Sequence, residues 1–408
     1  MIKKIMFVTV VMCLPVYLLC ASIFSFYGMP ESYSGRDVIG LGMGDTGIGN
    51  LLRPNTGLKN ASLACNSQYT IFSSAYSLGN LNVSDDTNQS TYNGDISYFP
   101  YFNVSVPLYK HRFGFAYQSV SNGKFSAEQK NTSGSDVFTE IRKADNALYQ
   151  ADMFYAYQFD NLNLSLSINY LFGHKINYAK ADYEDTNLID TKYEIEETFK
   201  SPGLTLGFSK EFNKKVSMGG TVSIPVELKG DKSYKTITLN EGITSETYKL
   251  PLKVSFGGAV NFYKNWDMAM DIDYDLWSQS DMYENANDGY RVAYGIEYQG
   301  SVNQEQFFKK ISQRAGFAYK VSPLNSIGND AHELTETSFT YGFSIPIKTH
   351  DSRIDFAVKY FNRESNESNY QENGILFSIG TTGFDIFKKP LDRKGHRDIP
   401  VPDETGRF

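Results

Sequence analysis

The sequence predicts an all-β protein, a 14-stranded antiparallel transmembrane β-barrel. Three observations carry that expectation. Between residues 67 and 387, apolar and polar residues alternate with period two in many stretches, the signature of strands with unlike faces. The connections between these stretches alternate between short and long, as in membrane barrels with tight turns at one end and loops at the other. Aromatic residues also crowd the strand ends, as in Tyr98-Phe99 with Tyr101-Phe102, Tyr155-Tyr157-Phe159 and Phe262-Tyr263-Trp266. Such rings favour the interface between hydrocarbon and water.

Composition removes the competing classes. The chain has 408 residues, 15% aromatic and 41% hydrophobic, with 29 Tyr, 29 Phe and 2 Trp. That aromatic content excludes a disordered chain. A mean hydropathy of −0.38 excludes a polytopic helical membrane protein, which needs repeated apolar spans of about 20 residues. The net charge is −7 and no basic block occurs, so no nucleic-acid partner is expected.

Residues 1–21 are expected to be a signal peptide. Lys3 and Lys4 precede the apolar run Ile5 to Ala21, the order of an export signal. Leu19 is bulky where lipoprotein signals carry a small residue, which argues against lipid attachment at Cys20. Of the three cysteines, only Cys65 lies clearly beyond that segment, so no disulfide framework is expected.

The fourteen strands are expected near 67–78, 92–108, 112–122, 147–159, 162–177, 192–210, 215–228, 247–263, 266–278, 289–301, 311–322, 335–347, 352–363 and 371–387. The clearest alternation runs from Asp267 to Leu276, where Met268, Met270, Ile272 and Tyr274 share one face and Asp271, Asp273 and Asp275 the other. Asn163 to Tyr170 alternates as cleanly. Connections after even-numbered strands are short, apart from 302–310, whereas those after odd-numbered strands, such as 123–146 and 229–246, are long and polar. In a soluble sandwich nothing segregates loop length by end. Residues 388–408, with Pro390, Pro400 and Pro402, lack alternation and are expected to form a polar periplasmic tail.

Ahead of the barrel, residues 35–65 are Gly-rich. Arg36, Gly42-Met43-Gly44, Gly47 and Asn60-Ala61-Ser62-Leu63 resemble the N-terminal plug of FadL-type outer-membrane transporters of long-chain fatty acids and other hydrophobic compounds. Ala61 stands where that family usually has Pro. Leu250-Pro251-Leu252 running to Gly257-Gly258, then Asp273-Tyr274 and Trp277, resembles a hairpin of the same family. Arg314-Ala315-Gly316-Phe317 followed by Tyr341-Gly342-Phe343 is a third match. The resemblance implies a plug, or hatch, at residues 22–66 inside the lumen of a barrel at 67–387, with Arg36, Gly42, Met43, Gly44, Gly47 and Asn60 as hatch residues. It also implies passive diffusion of a fatty acid or hydrocarbon through the plugged barrel, with sideways exit into lipid, in the outer membrane of a Gram-negative bacterium. The chain is expected to act as a monomer, with a hydrophobic small molecule and outer-membrane lipid as its partners and no cofactor. The alternative is a FadL-like barrel that docks secreted proteins without small-molecule flux.

Pro100 is the lateral-gate candidate, because Pro donates nothing to a ladder and is rare in central strands. The run Gly42 to Gly47 satisfies G-x-G-x-x-G, but neither a buried strand before it nor a helix after it is signalled, so a dinucleotide site is not expected. Asp271, Asp273 and Asp275 are expected to line the lumen as polar residues rather than to hold a cation, which needs more oxygens than one strand row supplies. The five histidines are scattered, so no metal site is expected, and no constellation supports enzymatic turnover.

Overall fold

The computed structural model describes residues 22, 24, 36–53, 55–85, 90–133, 136–185, 187–237, 240–281, 286–301, 305–324, 332–347, 352–365 and 370–384. The expected signal peptide and tail lie outside these residues.

Alternating side chains put the barrel residues into long antiparallel strands. In chain order they are β1 (Ile71–Asp85), β2 (Ser90–Tyr98 and Tyr101–Leu108), β3 (His111–Ser133), β4 (Asp136–Gln158), β5 (Leu162–Tyr183), β6 (Thr191–Asn213) and β7 (Val216–Ser223 and Glu227–Thr236). There follow β8 (Asn240–Lys249 and Lys253–Tyr263), β9 (Trp266–Asp275), β10 (Gly289–Tyr298), β11 (Ser312–Leu324), β12 (His332–Pro346), β13 (Arg353–Ser365) and β14 (Tyr370–Phe384). Each strand pairs with its sequence neighbour, and β1 pairs with β14 from Ile71↔Phe384 to Asp85↔Tyr370. The sheet therefore closes on itself as a 14-stranded antiparallel barrel, which leaves no edge at the junction of its ends.

The two faces are inverted relative to a soluble barrel. On β5, Leu164, Leu166, Ile168 and Tyr170 are exposed on the outside, Ile168 by 60%, while Asn163, Ser165, Ser167 and Asn169 are buried on the inside. On β9, Met270, Ile272 and Tyr274 point out and Asp271 points in. An apolar exterior over a polar interior is the arrangement that hydrocarbon demands, since a closed ladder satisfies every backbone group internally. Phe159, Phe262, Tyr263 and Trp266 lie exposed near the short turns, as a girdle requires, but Tyr98 and Tyr101 are buried and face the lumen.

The long connections are shorter than expected. Much of 79–91, 123–146, 178–191 and 229–246 is paired strand rather than loop: β1 and β2 pair up to Asp85↔Ser90, β3 and β4 up to Ser133↔Asp136, β5 and β6 up to Ala181↔Thr191, and β7 and β8, through a bulge at Glu241–Thr244, up to Lys235↔Asn240. Beyond the apolar band both faces of a hairpin meet water, so the period-two signal disappears while the hydrogen-bonded ladder continues.

Three strands are broken in the middle: β2 at Phe99-Pro100, β7 at Ile224-Pro225-Val226 and β8 at Leu250-Pro251-Leu252. Each break reverses which residues face inward. In β2, Tyr101, Asn103 and Ser105 are buried below the break, and Tyr98, Ile96 and Gly94 above it. In β7 the inward set passes from Ser217, Gly219 and Thr221 to Leu228 and Gly230. β3 makes the same reversal through a bulge between Ser119 and Ser121, one extra residue that re-aims the strand. The wall thus carries two double faults, at β2/β3 and at β7/β8. Between β2 and β3 the ladder runs from Leu108↔His111 to Tyr101↔Gln118 and ends with Ser119 N donating to Pro100 O. Above that point the described residues of β2 pair with β1, and those of β3 with β4.

Candidate functional site

Residues 36–53 and 55–66 run through the interior of the ring, touching inward-facing residues of strand after strand. Asp37 caps α1 (Val38–Gly42), its Oδ1 accepting from Gly40 N at 2.8 Å. Asn60 caps a 3₁₀ turn (Ala61–Asn66) and also donates to Ile48 O and to Phe208 O of β6, both at 2.9 Å. Gln118 of β3 donates to Leu58 O, and Asn103 of β2 to Thr56 O.

Ion pairs moor the segment to the wall. The Arg36 guanidinium reaches Asp271 and Asp273 of β9, each at 3.1 Å. Asp271 Oδ2 also accepts the backbone N–H groups of Gly47 (2.7 Å) and Ile48 (3.0 Å). Arg291 of β10 pairs with Asp273 at 2.7 Å and with Asp45 at 3.9 Å. Arg53 lies 3.6 Å from Glu297 of β10, whose other oxygen accepts from Arg314 of β11 at 2.6 Å. Burial alone would lower the pKa of Arg36, but Asp273 and Asp271 outweigh it and hold that pKa above its ordinary value.

Close approach is made possible by a belt of wall glycines. A Cβ on Gly42 would lie 3.0 Å from Gly342 Cα of β12. Gly44, at φ +71°, has Phe317 O of β11 only 2.6 Å from where its Cβ would stand, and a Cβ on Gly316 would overlap the Gly44 backbone. Gly295 faces Met43, and Gly257 and Gly219, directly paired in β8 and β7, face Gly49. Backbone therefore meets backbone along this belt, which side chains on either surface would prevent.

Above the segment, toward the long hairpins, lies a cavity of about 300 Å³. Its floor includes Arg36, Val38, Leu41, Leu58 and Lys59. Two inward-facing apolar patches flank it: Leu81, Val83, Ile96, Tyr98, Phe361 and Leu376 on one side, and Leu148, Leu171, Phe199 and Leu228 with Val120 and Leu250 on the other. Lys59 has no hydrogen-bond or ion-pair partner among the described residues, and burial pushes its pKa down to about 8. The thiol of Cys65 is free and half-buried, with its pKa pushed up to about 11 by burial, so it is a poor nucleophile at neutral pH.

The structure brings Arg36, Gly47, Asp271 and Asp273 to one point, residues the sequence places in two separate groups. Asp275 stands apart from them, 3.8 Å from Lys253 of β8. Gly42, Met43, Gly44 and Asn60 lie against the wall, and Pro100 sits at the β2 break on the cavity's border. Sequence reasoning missed Asp45, Arg53, Arg291 and Glu297, and the wall glycines. The glycines carried a readable signal, since Gly inside a strand marks close backbone approach. Among the described residues no cluster of three or more His, Cys, Asp or Glu is placed to hold a metal ion.

A sequence family described as BamG matches residues 1–385. The chain belongs to the BamG family. No curated protein matches it significantly. The BamG-family barrel is similar in fold to a Pseudomonas aeruginosa FadL homologue, with a TM-score of 0.64, 12% identity, and coverage of 87% of this chain and 99% of the other. It is also similar to the Ralstonia pickettii toluene transporter TbuX (TM-score 0.59, 12% identity, 89% and 100% covered). The Pseudomonas putida toluene transporter TodX gives a TM-score of 0.59 at 13% identity, with 87% and 98% covered. At these identities the likeness is one of fold, and it agrees with the FadL-type barrel expected from the sequence.

Proposed function

We propose that this BamG-family chain is an outer-membrane transporter of hydrophobic compounds, with residues 36–66 as a hatch that closes the lumen and the β2/β3 seam as a lateral gate. The observation that carries the reading is the cavity's border: it includes Pro100 and Tyr101 on one side of the seam and the consecutive residues Gln118, Ser119, Val120 and Ser121 on the other. An apolar solute in that cavity lies between two apolar patches and beside a stretch of wall with no ladder. Sideways exit lets it pass into hydrocarbon without crossing water. Two proteins of like fold are toluene transporters, which supports a hydrocarbon as the solute, and the free ammonium of Lys59 also suits a fatty acid carboxylate.

The test is mass spectrometry of small molecules extracted from the barrel after purification in mild detergent. A fatty acid or hydrocarbon near one per barrel, absent from a control porin, supports the reading and names the substrate. A barrel that is empty and instead brings down exported proteins replaces it with the docking alternative.

A further inference from the structure

The second double fault, at β7/β8, carries its own consequence for the cavity. In an unbroken strand only alternate residues face the lumen. Besides the β2/β3 seam and Gly289 to Arg291 at the end of β10, consecutive residues border the cavity on three adjoining strands here: Gly203, Leu204 and Thr205 of β6, Ser223 and Ile224 of β7, and Leu250 and Pro251 of β8. Leu204 and Ile224 belong to the outward-facing sets of their strands, which include the exposed Leu206 and Val222. The cavity thus borders residues whose side chains belong to the outer face, of which Ile224 is 41% exposed.

The hydrogen bonds explain why the wall yields at this point. Pairing of β6 with β7 stops at Thr205↔Ser223 and resumes only at Lys200↔Lys229. Between β6 and β7, Ser201 Oγ donates to Glu227 O at 2.6 Å and Ile224 N to Leu204 O at 2.9 Å, which leaves only 202–203 and 225–226 unbridged, and Leu250 N of β8 donates to Val226 O at 2.8 Å. Pro225 lies between them with no N–H to offer. Gly203 contributes no side chain to fill the interval. A Cβ there would stand 3.1 Å from Val226 Cγ2, so the Val226 isopropyl group covers the place. On its outer side the rim carries the apolar Leu204 and Ile224, and the exposed Glu227, Lys229 and Lys249 just above it mark where the outer face turns from apolar to charged. The fault thus sits at the boundary of acyl chains and headgroups.

The geometry points to a second lateral portal, between β6 and the β7/β8 fault, that passes a linear hydrocarbon chain between the lumen and the surrounding leaflet, with Val226 as its stopper. This rests on the reading of the cavity as a site for hydrophobic compounds. It adds a route on a different part of the wall from the Pro100 seam, so the lumen exchanges with lipid at two places.

Trp277 borders the cavity and reports entry, because the sequence has only one other tryptophan, Trp266. The protein to test is the full chain with Trp266→Phe and Cys65→Ser, reconstituted in vesicles, carrying Gly203→Cys and Val226→Cys as a closable pair. Bromododecane added to the bilayer is the probe, and quenching of Trp277 fluorescence is the readout. The portal is supported if oxidation of the pair slows quenching, by about twofold where the two routes carry equal flux, and reduction restores it. Val226→Ala in the same Trp266→Phe background should speed quenching, and it serves where the cysteine pair does not form. Quenching that neither change alters overturns the portal and leaves the hydrophobic cavity standing. No quenching in any form overturns both.

Discussion

Arg36 and Asp271 meet at 3.1 Å inside the barrel, and the Asp271 oxygen that receives the guanidinium also accepts the backbone N–H groups of Gly47 and Ile48. One wall carboxylate thus binds the segment both where it enters α1 and where it leaves the glycine loop. Arg36→Ala removes the guanidinium that both carboxylates meet at 3.1 Å and leaves Arg291 as the close ion-pair partner of Asp273, and breaking a buried pair in this way costs about 3–5 kcal/mol. The expected outcome is a folded barrel with an unseated segment, read as a rise in single-channel conductance in a planar bilayer. Arg36→Lys, with charge but no planar fork, should give an intermediate rise. Unchanged conductance in Arg36→Ala would show that this pair does not hold the segment.

The glycine belt makes a second prediction from sterics alone. Gly316→Val places a side chain where the Gly44 backbone runs, and backbone cannot move aside as a flexible side chain does. Conductance should rise and protease should reach residues 36–66, while the heat-modifiable gel shift of the barrel persists. Gly383→Ala, at a position with nothing within 4 Å, should leave both readouts at the starting level.

At the seam, Pro100→Val restores a ladder donor and narrows the gap between β2 and β3. Hydrocarbon uptake into proteoliposomes should fall by about twofold rather than vanish, because the portal beside Val226 stays open. Uptake at the unmodified rate with a folded barrel counts against a gate at Pro100.

Lys59 gives a pH-dependent outcome. Its folded pKa of about 8 lies below the ordinary 10.5, so between these values the unfolded chain holds the extra proton and stability rises with pH. Below pH 8 the amine is charged in both states and the folded state bears the full cost of burying it. Lys59→Met should therefore be more stable at pH 7 by on the order of 1–2 kcal/mol, allowing for the water in the cavity. The advantage should shrink as pH rises through 8 and be gone near pH 10.5, measured by paired thermal melts in detergent. An advantage that holds constant across this range would place the amine in water.

The sequence was most informative where the two faces of a strand meet different media. From Asp267 to Tyr274 one face meets hydrocarbon and the other carries charges, so the alternation and the assignment of Asp271 and Asp273 to the lumen are both legible. It was least informative in 123–146 and 229–246, where both faces are wet. The partners of those aspartates were hidden for another reason: Arg36 precedes Asp271 by more than half the chain, and nothing in either stretch announces the other. Pro225 and Pro251 carried the same signal as Pro100, a proline inside a strand. The apolar residues around them, Ile224, Val226, Leu250 and Leu252, made each strand read as continuous.

The reversals at Pro100, Pro225 and Pro251 mean that each broken strand is written in two opposite phases. Removing one residue at such a junction brings the two phases into step: without Pro100, Tyr98 stands two positions from Tyr101, and a continuous ladder keeps both facing the lumen. With every residue kept, drawing the upper half into a continuous ladder would turn Ile96 and Tyr98 to the outside and bring Asp95 into the lumen, inverting the chemistry of both surfaces at once. Strand length can change freely in the hairpins beyond the apolar band, where neither face has a preferred medium. Within the band it is tied to parity, and the prolines stand at the positions where that parity is reset.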